Sequence, residues 1–102
     1  MARLVAIALA ALAGLLPASE ASAAVTRPQA LALVTRILDR QEAACDLTWS
    51  ALSARRAGSA WRVTVRVRTS QNPGIASWWV QRSNGKVTPA EPLAAEISAG
   101  CP

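Results

Sequence analysis

The chain contains no histidine, no tyrosine and no phenylalanine, and only two cysteines and one methionine. Without histidine it lacks the commonest general base, the commonest metal ligand and the side chain that titrates near neutral pH. No Ser-His-Asp or Cys-His arrangement can be assembled. Acids are scarce as well, with six Asp and Glu against eleven Lys and Arg. Apart from Glu20 they are Asp39, Glu42, Asp46, Glu91 and Glu96. Asp39 and Glu42 fall one helical turn apart beside Arg36 and Arg40, and read as a solvated, charge-laced helix face. Glu91 and Glu96, near Pro92, read as solvent-facing. There is no glycine-rich phosphate loop, and the cysteine spacing matches no metal site. This inventory points away from an enzyme, a metal centre and a bound cofactor.

Long apolar runs are limited to one. Arg3 precedes an unbroken run of Leu, Ala, Val, Ile and Gly from Leu4 to Leu16, which Pro17 breaks, and Ala21-Ser22-Ala23 supplies a small-x-small cleavage pattern. The expectation is a signal peptide over 1–23 and a single small domain over 24–102. The run is shorter than the ~20 residues that span a bilayer, and no stop-transfer segment follows. The mature protein is therefore expected to be periplasmic or secreted, with no transmembrane segment after cleavage. No cysteine lies near the cleavage site to carry a lipid.

An exported compartment bears on Cys45 and Cys101, the two cysteines of the chain. In oxidising surroundings they are expected to pair as a structural disulfide, the alternatives being a free, metal-binding or intermolecular thiol. A domain of this size is marginal without such a staple. Arg3 and Glu20 leave together with the signal, so the net charge of +5 persists in the mature chain. That surplus favours anionic partners or serves solubility, and export removes nucleic acid from consideration.

Hydrophobic periodicity gives the elements. Thr26-Arg27-Pro28-Gln29 reads as a helix start, with Thr26 as N-cap and Gln29 completing a capping box. The helix is predicted to run to about Ala44, with an apolar stripe of Leu31, Val34, Leu38 and Gln41 flanked by Leu33 and Ile37. A strand is expected near Leu47, Trp49 and Ala51, followed by a polar connection from Arg55 to Ser59. From Trp61 to Thr69 the chain alternates strictly, with Trp61, Val63, Val65 and Val67 facing one way and Arg62, Thr64, Arg66 and Arg68 the other. Ile75 to Arg82 forms another strand, and Asn84-Gly85 predicts a two-residue hairpin pairing Arg82 with Val87 and Gln81 with Thr88. Pro92 to Ser98 has room for a short helix. The predicted fold is α+β: one N-terminal helix packed on a three- to four-stranded antiparallel meander, locked by one disulfide.

This order resembles the PepSY and half-cystatin-like group of small exported domains. The likeness lies in Trp61-Arg62-Val63-Thr64-Val65 and in the run Trp78 to Val87, since that group carries an aromatic-x-Val strand entering a Gly-Lys/Glu-Val hairpin. It covers roughly residues 28–89. Such a resemblance implies a binding or inhibitory module, in some members directed at proteases.

The residues themselves offer one candidate binding surface. Arg62, Arg66, Arg68, Trp79 and Gln81 fall on the polar phase of neighbouring strands, where guanidinium forks beside an indole suit carboxylates, phosphates or sugar rings. The competing reading is that Trp79 packs against arginine stems. Trp49, Trp61 and Trp78 fall on the apolar phase and are assigned to the core. The expected function is a non-catalytic binding or inhibitory module recognising a protein or an anionic envelope component. The alternative is a structural envelope protein held to anionic lipid or polysaccharide by charge.

Overall fold

The computed structural model describes residues 23–102 apart from Gln71. All of the expected signal peptide except Ala23 lies outside those residues. Helix α1 (Arg27–Ala44) begins with the expected capping box. Thr26 Oγ1 accepts from the Gln29 N–H at 3.4 Å, and Gln29 Oε1 accepts from the Thr26 N–H at 2.8 Å. Ala30, Val34, Leu38 and Gln41 are buried, while Leu31, Leu33 and Ile37 flank them half-buried. The buried line begins at Ala30, where Leu31 was expected, and Leu31 stands beside it half-buried.

Four strands follow, β1 (Leu47–Ala57), β2 (Ala60–Thr69), β3 (Pro73–Gln81) and β4 (Val87–Pro89), paired antiparallel in chain order. A second helix, α2 (Pro92–Ala99), closes the chain. The architecture is α+β, with both helices on one side of an open meander: α1 lies across β1 and β2, and α2 over β3 and β4. No helix among the described residues is long and apolar enough to cross a membrane. Between helices and sheet sits the core, in which Val34, Leu38, Val63, Val65, Trp78, Val80 and Ile97 are fully buried. The Trp78 indole N–H donates to Ser98 Oγ at 2.8 Å, and that of Trp61 to the Val25 carbonyl at 2.8 Å. Trp49 packs against the core only half-buried, and its indole nitrogen is buried without a hydrogen-bond partner among the described residues.

Cys45 and Cys101 form a disulfide across a separation of 56 residues, with a Cα–Cα distance of 5.5 Å. It ties the tail beyond α2 to the junction of α1 and β1. Closing a loop of that length stabilises the fold by about 4 kcal/mol in the chain-entropy account.

Three local expectations are corrected. First, the supposed connection from Arg55 to Ser59 is mostly strand: β1 runs to Ala57, and only Gly58 and Ser59 make the turn, with Gly58 at φ 60°. A two-residue loop with glycine first matches the twist of the flanking strands. Second, β1 carries a bulge between Ser50 and Ser53, with Ala51 in a left-handed conformation at φ 56°. The extra residue shifts the phase, so Leu52 packs against the core and Ala51 is exposed. Third, the last hairpin is offset by two residues from the expected register, pairing Val80 with Val87 and Trp79 with Thr88. Arg82 is committed elsewhere: its N–H donates to the Ser59 carbonyl at 2.9 Å and its carbonyl accepts from Val25 N–H at 2.8 Å. The offset is even, so the faces are those expected.

Candidate functional site: the outer face of the sheet

The strand pairings arrange the uncovered face in rows that cross the sheet. Arg55, Arg62, Trp79 and Thr88 are successive cross-strand partners, as are Ser53, Thr64 and Ser77. Nearer the other end, Ser50 pairs with Arg66 and Arg66 with Ile75, while Thr48 pairs with Arg68 and Arg68 with Pro73. Alternation along β2 forces this arrangement, since burying the Trp61, Val63, Val65 and Val67 side leaves Arg62, Arg66 and Arg68 in water. Four arginines thus share one face, and no strand contains an acidic residue. The five acids among the described residues lie on α1 (Asp39, Glu42), just before β1 (Asp46), just before α2 (Glu91) and on α2 (Glu96).

Arg62, Arg66, Arg68, Trp79 and Gln81 all sit on this side, though not in one cluster. Arg62 and Arg68, six residues apart on a strand, are separated by roughly 20 Å. Arg62 stacks over the half-buried Trp79 ring, 5.1 Å from its centroid, so Trp79 does pack against an arginine. Gln81 is exposed at the end of β3 beside Ala60. Arg66 and Arg68 stand at the opposite end, exposed and without an ion pair or ring contact among the described residues.

That end is concave. A groove of about 500 Å³ is lined by Thr48, Ser50, Arg66, Arg68, Pro73 and Ile75, with Trp49, Val67 and Gly74 contributing between them. Ile75 is 60% exposed, the one large hydrophobic left in solvent among the described residues. Sequence reasoning placed neither Ile75 nor the two hydroxyls in a site, and it left Arg55 in a loop. The Gly58-Ser59 dipeptide, read as a hairpin turn, would have extended β1 and brought Arg55 opposite Arg62.

Glu91 departs from its expected solvent-facing role. Its Oε1 accepts from the Ser77 and Ala94 N–H groups, each at 3.0 Å, and its Oε2 from the Leu93 N–H at 3.2 Å. One carboxylate thereby caps α2 and docks it on β3.

No family model matches the chain, and no curated protein and no solved structure matches it.

Proposed function

We propose that this protein is an exported, non-catalytic binding or inhibitory module, periplasmic or secreted, that engages an anionic protein or other anionic envelope component through the outer face of its sheet. The observation that carries the reading is Arg55 directly opposite Arg62 on a sheet with no acid in any strand. Like charges facing across a ladder destabilise it, and no carboxylate in any strand offsets this pair. An anionic partner would supply that offset from outside. The Cys45–Cys101 disulfide is compatible with an extracytoplasmic setting. The resemblance to PepSY and half-cystatin-like domains leads to the same class of function.

The test is capture from envelope extract by the immobilised mature protein, compared with Arg62→Glu/Arg66→Glu, at low and moderate ionic strength. A packed, complementary interface is expected to hold partners through moderate salt and to lose them in the variant. Capture that vanishes with salt for both proteins would instead favour association with anionic lipid or polysaccharide by charge. Equal capture by both proteins at every ionic strength would remove the face from consideration.

A further inference from the structure

We infer that the groove at the open end of the outer face docks the free C-terminal carboxylate of a partner polypeptide whose last residue is apolar. This rests on the reading that the partner binds the outer face, and it names the part of the partner that is gripped.

The groove has three kinds of wall, in an order fixed by strand register. Thr48 and Ser50 on β1 bring hydroxyls, Arg66 and Arg68 on β2 bring guanidiniums, and Pro73 and Ile75 on β3 bring apolar surface. Its volume of about 500 Å³ falls in the range of small-ligand sites. Unlike Arg62, which rests on an indole, Arg66 and Arg68 have no partner to satisfy their forks among the described residues. Such forks match a carboxylate in a bidentate geometry. The bulge lies on the rim: Ala51, next to Ser50, holds a left-handed conformation that alanine resists. It ends the regular pairing of β1 just past Ser50 and re-aims the strand there, as bulges beside binding sites do.

A chain terminus meets all three walls at once. Its carboxylate takes the guanidiniums, its last side chain covers Ile75 and Pro73, and its amide N–H groups donate to the Thr48 and Ser50 hydroxyls. An internal Asp or Glu carries no apolar group at a fixed distance from its carboxylate. A bilayer surface is broad where this site is concave.

The experiment is an NMR titration of the ¹⁵N-labelled mature protein, disulfide intact, with a degenerate pool of short peptides ending in leucine as the free acid. The same pool with an amidated terminus is the comparison. Saturable shifts are expected at Thr48, Ser50, Arg66, Arg68 and Ile75, with binding of the amidated pool weaker by about tenfold or more. Arg66→Gln and Ile75→Ser should each weaken binding of the free acid while leaving the rest of the spectrum in place, since both side chains are exposed. Equal binding of the two pools, shifts centred elsewhere, or indifference to Ile75→Ser would overturn the inference. Polyglutamate and anionic vesicles, titrated in parallel, separate this failure from that of the broader reading. If either shifts the outer face while the peptide pools bind alike, the groove assignment falls and the face stands. If no anion shifts that face, both fall.

Discussion

Arg55 and Arg62 oppose each other across β1 and β2 with no acid in any strand to offset them. Arg55→Glu turns this repulsion into an attraction and is expected to raise stability by roughly 0.2–1 kcal/mol, read as a higher urea midpoint with unchanged slope. The same change should weaken partner capture, so stability and binding would move in opposite directions. Glu91 is the other residue whose role was hidden in the sequence. A carboxylate beside proline looks solvated, and only tertiary docking brings the Ser77 N–H to it. Glu91→Ala is expected to cost about 1–2 kcal/mol by removing three acceptor contacts. Glu91→Gln should cost less, since the amide oxygen can retain the two bonds now made by Oε1. Urea denaturation of the two variants measures the difference.

Among the elements, those with a local physical code were legible and those shaped by neighbours were not. Helix α1 announces itself through Thr26, Pro28 and Gln29, each acting within one turn. The arginine alternation of β2 is equally local. By contrast, the bulge in β1 depends on how eleven residues are fitted against ten in β2, and Ala51 gives no hint of a left-handed backbone. The hairpin offset has the same origin, because Arg82 is drawn toward Ser59 and Val25, far away in the chain. Helix α2 is held by the Glu91 cap, by the seat of Leu93 over Gly74 and by the disulfide beyond its end. A Cβ on Gly74 would stand 2.8 Å from Leu93 Cδ2, which explains a glycine inside a strand. Replacing both cysteines by alanine is expected to lower stability by about 4 kcal/mol. Hydrogen exchange should then show α2 losing protection before β2 and β3, since it is the short element that the bond secures.

At the scale of the whole molecule, among the described residues one face of the sheet carries two helices and the other carries none. The covered face consumes most of the apolar phase of β2 and β3, while the uncovered one carries cations and hydroxyls beside Trp79, Ile75 and Pro73. The candidate face could be read from the sequence as far as Arg62, Arg66, Arg68, Trp79 and Gln81, since alternation alone assigns them a side. The groove could not, because it needs β1 in register beside β2 and the bulge that follows Ser50. The central claim is that the placement of charge, and not its total, selects the partner. It is tested most directly by comparing capture by Arg62→Glu/Arg66→Glu with capture by Arg36→Glu/Arg40→Glu, two changes that lower the net charge of +5 equally. Arg36 and Arg40 are exposed on α1, on the opposite side of the molecule. Loss of capture in the sheet variant with retention in the helix variant is the predicted result, and equal loss in both would contradict it.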